Sequence, residues 1–300
     1  MQINWIPTDE YYQRILAAPD AEARQQLYLE LFVQPWKAMM DMFAGMRGGA
    51  DDDPLAGARA WAWLLPEQPD EIARLLRTMQ DADAWTNGRQ ALEQAAVRFA
   101  PYADRMPLEA VTGWLVLGDA ARAQAFERGY TGATDWMQPR LVGQFWEAND
   151  YTLPRLGALL AHEMHHLIRL RLFPWDPVNM SVADYIVLEG TAESFAAAAF
   201  GADKVGYYIT DFDTEQFETA RQVIGAGLER TGFNVIRGYI FGDALAAQWG
   251  FQPQGVPTYG GYAVGYHVVQ AFLRRSGLSI EEATFLPARE IVAGSGFFTA

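Results

Sequence analysis

Three of the four histidines of this 300-residue chain lie within one short stretch, with a glutamate among them. His162, Glu163 and His166 form the motif H-E-x-x-H. Residues four positions apart project from the same face of a helix, so the imidazoles of His162 and His166 can bind one metal ion. Glu163 can then act as the base for a water that the metal activates. The spacing predicts a zinc centre rather than a structural cluster of histidines.

A third ligand has to come from elsewhere, because a catalytic zinc ion has three protein ligands and one open position. Cysteine is absent, and the remaining histidine, His267, lies far along the chain. The best local candidate is Glu189. Glu193, one turn later, is either the ligand in its place or the acceptor of a hydrogen bond from a ligand histidine. Both are ordinary surface carboxylates if their helix does not approach the motif.

Two predicted helices position these side chains. The sequence at residues 152–154 is typical of a helix start, and leucines spaced along one face predict a helix that runs to about Leu172. After a turn, a second helix is predicted from Ser181 to Phe200. A pair of helices joined by such a loop can bring Glu189 beside the two histidines.

The motifs resemble those of known enzymes. H-E-M-H-H at residues 162–166, followed by E-G-T-A-E at residues 189–193, is similar to the gluzincin metallopeptidases, in which the first glutamate of the second segment completes the zinc site. More narrowly, the stretch from Gly113 to Phe298 resembles the YjaZ-like family of predicted zinc-dependent proteases, a domain of unknown function. The segment from Gly261 to Tyr266 also carries this likeness. The resemblance implies a zincin-like peptidase domain and leaves the substrate open.

The predicted reaction is hydrolysis of a peptide bond in a peptide or protein substrate. Zinc held by His162, His166 and Glu189 would lower the pKa of a bound water to about 7. Glu163 would take a proton from this water and later pass it to the leaving amine. A protein on the same scaffold that binds clients as a chaperone-like or regulatory module, without proteolysis, is the alternative.

The oxyanion that forms during such a reaction usually receives an additional hydrogen bond. A predicted C-terminal helix offers Tyr262 and Tyr266 on one face, and Tyr262 is the predicted donor, with His267 as its substitute. The alternatives are that the tyrosines pack in the core and that His267 is a packed side chain beside two valines.

Composition restricts the class of protein. The formal net charge of −14 argues against nucleic acid as a partner, because a phosphate backbone requires a basic surface. No run of apolar residues is long enough to span a membrane, and the N-terminus does not resemble a signal peptide. Since cysteine is absent, we expect a cytoplasmic protein without disulfides. The sequence does not indicate an oligomeric state.

The fold class predicted from the pattern is α+β and mainly helical. Residues 1–105 are predicted as a helical N-terminal region, and residues 106–300 as a zincin-like metallopeptidase domain with a small sheet. The segment from Arg140 to Phe145 is predicted to be a strand, and the resemblance to gluzincins implies that it is the sheet edge that pairs with an extended substrate. Helices in the first region are predicted at residues 21–32, 36–46, 70–79 and 82–99.

Overall fold

The computed structural model describes residues 1–38, 40, 41, 53–123, 128–135 and 137–298. The chain forms two compact units. The sheet unit consists of Gln2–Glu93 and Ala110–Leu156, and the helical unit of Gln94–Glu109 and Gly157–Ala300 together with Met1. Each unit is therefore assembled from separate stretches of the chain. The predicted domain boundary, between residues 105 and 106, falls inside the segment 94–109 of the helical unit.

The sheet unit contains a mixed four-stranded sheet with the order β1-β2-β4-β3. Strand β2 runs parallel to both β1 and β4, while β3 and β4 are antiparallel. Every residue of β2 from position 113 onward is buried, as expected for an inner strand that is covered on both faces. The strands are β1 (Gln2–Trp5), β2 (Ala110–Leu117), β3 (Tyr130–Asp135) and β4 (Arg140–Phe145).

The prediction that the segment from Arg140 to Phe145 forms a sheet edge is wrong. This segment is β4, which is paired with β2 on one side and with β3 on the other. Its main-chain groups are already used by these neighbours, so β4 cannot bind an extended peptide by strand addition. The sequence did not predict β3, because its residues, Y-T-G-A-T-D, lack the alternation of apolar and polar side chains that identifies a half-buried strand.

Helices flank the strands of the sheet unit in the sequence. The predicted helix at residues 21–32 ends earlier than expected as an α-helix and continues as a π-helical turn at Leu29–Val33. The helix predicted at residues 36–46 lies largely outside the described residues. The described helices of this stretch are α1 (Thr8–Leu16), α2 (Ala21–Tyr28), α3 (Ala56–Ala60), α4 (Pro69–Asp81) and α5 (Ala84–Val97).

The helical unit is built around one buried helix. Ser181 and Asp184 form a capping box at its start, so the first turn is fixed by reciprocal hydrogen bonds. Most of its residues are buried, which indicates a helix that neighbours surround on all sides. The helices are α6 (Leu156–Leu172), α7 (Val182–Phe200), which is the buried one, α8 (Tyr207–Thr210), α9 (Phe217–Gly227), α10 (Phe233–Phe241), α11 (Asp243–Gln248), α12 (Gly260–Ser276), α13 (Ile280–Ala283) and α14 (Ala288–Ser295).

The architecture is α+β and mainly helical, as predicted. The predicted ends of α6 and α7, at Leu172 and Phe200, agree with the structure. Within the described residues, no helix is both long enough and apolar enough to cross a membrane.

Helices α7 and α12 cross in direct backbone contact. A methyl group added at Gly190 would lie 2.2 Å from the carbonyl oxygen of Gly265. A methyl group at Gly265 would lie 2.2 Å from the carbonyl oxygen of Ile186. Only glycine lets two helix backbones approach this closely. The crossing therefore holds α12 against the turn of α7 that carries Glu189.

Replacement of Gly265 by Ala is expected to destabilise the protein by about 1–3 kcal/mol, the usual range for an overpacked core. The methyl group would meet backbone, which cannot shift alone, so the loss should outweigh the better helix propensity of alanine. Urea unfolding of the two proteins measures this difference. Gly294→Ala is the matched control, because its methyl group meets only the ring of Phe272. Equal stability of the two variants would contradict the expectation.

Candidate metal centre

His162 and His166 on α6 face Glu189 on α7. The Nε2 atom of His162 lies 3.4 Å from Oε2 of Glu189, and the Nε2 atom of His166 lies 3.2 Å from the same oxygen. The two imidazole rings are nearly perpendicular, at 89°, with centroids 4.4 Å apart. All three side chains are buried, and one ligand atom from each lies within 4.8 Å of the others.

The geometry and chemistry of these three atoms fit zinc. Bonds of 2.0–2.2 Å to the corners of a tetrahedron place the ligand atoms roughly 3.3–3.6 Å apart, close to the two separations from Glu189. Oε2 of Glu189 is buried and has no hydrogen-bond donor. A buried carboxylate oxygen requires a compensating charge, which a cation held between the two nitrogens would supply. Two imidazoles and one carboxylate form a donor set typical of catalytic zinc.

Charges within the cluster shift two pKa values in opposite directions. Burial alone would lower the pKa of His162, but the neighbouring carboxylates of Glu193 and Glu189 raise it well above its ordinary value. Burial alone would raise the pKa of Glu189, yet His166 and His162 lower it to about 2. Glu189 is therefore ionised at neutral pH, whereas the surrounding carboxylates favour a proton on His162, and this proton competes with a metal.

Glu193 lies behind His162. Its Oε1 atom is 2.8 Å from Nδ1 of His162, within hydrogen-bond distance. Oε2 of this carboxylate accepts a hydrogen bond from the main-chain N–H of Gly206, and Oε1, the oxygen that faces His162, also accepts one from the hydroxyl of Tyr208. A carboxylate in this position orients a ligand imidazole and increases its basicity. Sequence reasoning missed Tyr208, which lies in a helix too short to show a periodic pattern.

The remaining predicted residues lie at different distances from this cluster. Glu163 is buried, and its charge contributes to the raised pKa of His162. The ring of Tyr262 packs against that of Tyr208, with centroids 4.3 Å apart. His267 is exposed and packs edge-on against Phe217, with ring centroids 4.8 Å apart. The described contacts therefore bring Glu163 and Tyr262 to the cluster but do not bring His267 there.

His165, the third histidine of the motif, has a structural environment. It is fully buried, and its Nε2 atom lies 3.0 Å from the hydroxyl of Thr284. Arg169, one turn later on α6, donates to the main-chain oxygens of Thr284 and Leu286. This face of α6 is thus tied to the chain around α13, which fixes the rotation of the helix that carries His162 and His166.

Zinc binding is expected to strengthen as pH rises from about 5.5 to about 8, since His162 must lose its proton to bind a metal. In the metal-free protein, protonated His162 adds to the free energy of unfolding because its pKa is raised on folding. This contribution is complete below pH 6.5, the ordinary pKa, and disappears as the pH rises through the raised pKa. Ionised Glu189 also adds to the free energy of unfolding. Its contribution is complete above pH 4.5, the ordinary pKa, and disappears as the pH falls towards the lowered pKa of about 2. The Tm difference between zinc-loaded and metal-free protein should therefore increase over this range.

Scanning calorimetry with and without zinc measures this difference. Glu193→Gln removes the carboxylate that raises the pKa of His162 most, so the same increase should occur at lower pH in this variant. A Tm difference that does not change with pH would contradict the expected displacement of a proton.

Residues 85–293 match the family model described as "Predicted Zn-dependent protease (DUF2268)". The chain belongs to this family. The matched region includes the three clustered side chains, Glu163 and Tyr262, so the family and the metal centre coincide on the chain.

Two similar proteins come from Bacillus subtilis (strain 168). The uncharacterized protein YjfC is 28% identical over 295 residues, which cover 97% of this chain and 97% of that protein. The uncharacterized protein YjaZ is 28% identical over 149 residues, which cover 47% of this chain and 53% of that protein. No solved structure matches the chain significantly.

Proposed function

We propose that the chain is a zinc-dependent peptidase whose metal ligands are His162, His166 and Glu189. The observation that carries this proposal is the convergence of two imidazole nitrogens on one carboxylate oxygen without a hydrogen-bond donor, at 3.4 and 3.2 Å. Glu193 orients His162 from behind. Membership in a family of predicted zinc-dependent proteases supports the same function.

The chain's own residues supply the proton transfers of the proposed reaction. When bound, zinc supplies Lewis acidity, which makes water a stronger acid and polarises the peptide carbonyl. Glu163 accepts a proton from the attacking water and delivers it to the nitrogen of the leaving amine. Its burial beside His162 keeps competing bulk water away from this carboxylate. A client-binding protein on the same scaffold would have no need of Glu163.

Tyr262 is the proposed donor to the oxyanion. Burial and the charge of Glu189 raise its pKa well above the ordinary value, so its hydroxyl keeps its proton at neutral pH. Within the described part of the chain this hydroxyl has no hydrogen-bond partner, whereas the hydroxyl of the neighbouring Tyr208 donates to Glu193. A protonated hydroxyl without a protein acceptor is suited to donate to a negatively charged oxygen.

Tyr262→Phe is expected to keep the fold and the zinc but to reduce kcat by about 10²-fold, because the transition state loses one hydrogen bond. Steady-state kinetics on a cleaved peptide, with zinc content measured on the same sample, provides the test. Tyr239→Phe is the control, since Tyr239 is another buried tyrosine and packs against Gly227. If kcat falls equally in both variants, the role of Tyr262 is in packing.

The function itself is tested on the purified chain by metal analysis together with digestion of a broad peptide library. We expect about one zinc ion per chain, as three ligands from one site require, and cleavage that stops when zinc is removed by a chelator. Cleavage should return when zinc is added back. Bound zinc without cleavage of any peptide would instead favour the client-binding protein.

A further inference from the structure

Arg237 on α10 is a cation without an anionic partner in the described part of the chain. Its guanidinium lies over the rings of Phe233, Phe241 and Phe251, at 5.1, 4.5 and 5.0 Å from their centroids. Its Nε atom is buried and has no hydrogen-bond partner. Acidic residues outnumber basic ones in this chain, 37 to 23, so carboxylates are plentiful. Among the residues that the structure describes, however, no aspartate or glutamate forms an ion pair with Arg237.

Two sets of contacts place Arg237 on the Tyr262 side of the metal centre. The first is the electrostatic effect of Arg237 on Tyr185, which lies one turn before Glu189 on α7 and therefore on the same face. The second is the ring of Phe241, which contacts the guanidinium and has its centroid 5.8 Å from that of Tyr262. Arg237 thus lies beside the proposed oxyanion donor.

The electrostatic effects agree with this placement. Burial raises the pKa of Tyr185 to about 12, and Arg237 opposes that rise while Glu189 adds to it. The pKa of Tyr262 is raised by burial and by Glu189, and again Arg237 opposes the rise. Arg237 and Glu189 therefore act on the same two phenols from within one region of the helical unit.

Aromatic rings hold the guanidinium without using its hydrogen-bonding capacity. Cation–π contacts use the face of the planar group, whereas its N–H donors point outward in the plane. The planar set of N–H groups matches a carboxylate, which can accept two parallel hydrogen bonds. A cation that only supported the fold would be expected to have its own carboxylate nearby.

We propose that Arg237 binds a carboxylate of the substrate, so that the peptidase acts on peptides that carry this group close to the bond that is cut. The carboxylate is either the C-terminus of the peptide or the side chain of an aspartate or glutamate. This inference rests on the proposed peptidase function and narrows it to a class of substrates.

The experiment uses three N-acetylated hexapeptide libraries. The first has a free C-terminal carboxylate and no acidic residues, the second is its C-terminal amide, and the third is an amide with one aspartate or glutamate. Equilibrium binding is measured on zinc-loaded Glu163→Gln protein, which should hold peptides without cutting them. Cleavage is measured separately on the unmodified protein. We expect the first or the third library to bind roughly 10- to 100-fold more tightly than the second, the effect of one charge-assisted pair.

Arg237→Gln should remove the preference for peptides that carry a carboxylate. Arg237→Lys should retain part of this preference, because lysine keeps the charge but loses the planar donors. Arg274→Gln, which removes an exposed cation of α12, is the matched control and should keep the preference. Circular dichroism and Tm verify the fold of each variant. The three libraries are also compared on protein that keeps Arg237. This comparison tests the inference even if an Arg237 variant does not fold.

Equal binding of all three libraries, or a preference that survives in a folded Arg237→Gln protein, would overturn the inference. Preference for the free carboxylate identifies the C-terminus as the group bound, and preference for the third library identifies an acidic side chain. Binding that depends on Arg237 without any cleavage would reject the peptidase function and leave the carboxylate site standing. Cleavage of all three libraries at equal rates would reject the carboxylate site and leave the peptidase function standing.

Discussion

Replacement of Glu163 by Gln is expected to lower peptide hydrolysis by about 10²–10⁴-fold and to leave zinc bound, because the carboxylate transfers protons and is not a ligand. The amide has nearly the same size, so the buried position next to His162 should still be filled. The measurement is kcat on a cleaved peptide together with zinc content on the same preparation.

Glu218→Gln is the matched control for this substitution, since it changes an exposed glutamate of the same unit. It should retain both zinc and activity. Full activity of the Glu163→Gln protein would reject the proposed base. Loss of zinc from it would mean that Glu163 belongs to the ligand set.

Replacement of Glu189 by Ala is expected to abolish zinc binding, whereas Glu193→Ala should weaken it by only about 10–100-fold. The physical difference is position. Oε2 of Glu189 lies between the Nε2 atoms of His162 and His166, while Glu193 reaches only the far nitrogen of His162. Competition with a chelator of known affinity measures both effects on one scale.

Tyr208→Phe provides a graded comparison, because it removes one hydrogen bond from Glu193 and leaves the carboxylate itself. Its effect on zinc affinity should be smaller than that of Glu193→Ala. The opposite result for the two glutamates, with zinc lost from the Glu193 variant and kept by the Glu189 variant, would reverse their assignment.

The parts of the site that could be predicted are those encoded within one element. The histidine spacing depends only on helix geometry, leucine spacing was sufficient to predict the end of α6 at Leu172, and Ser181 marked the start of α7. Glu189 could be chosen because its helix follows the motif after a short loop. Local periodicity was therefore enough to identify the three side chains that the structure brings together.

The parts that could not be predicted depend on contacts between distant elements. Tyr208 lies on a four-residue helix, and its hydrogen bond to Glu193 joins two elements that are distinct in the sequence. Arg237 is separated from Tyr185 by two helices and the loops between them. The place of β4 inside the sheet depends on β3, whose composition does not indicate a strand. Sequence spacing carries no information about such pairings.

The division of each unit into separate stretches has a consequence for synthesis on the ribosome. Residues 94–109 belong to the helical unit, where Phe99 packs against Phe195 and Arg98 pairs with Glu281. This segment leaves the ribosome long before α7 and α13 have been made, so its apolar face has no native partner during most of translation. Completion of the helical unit has to wait until nearly the whole chain has been synthesised. The apolar face of this early segment is therefore buried only at a late stage of synthesis.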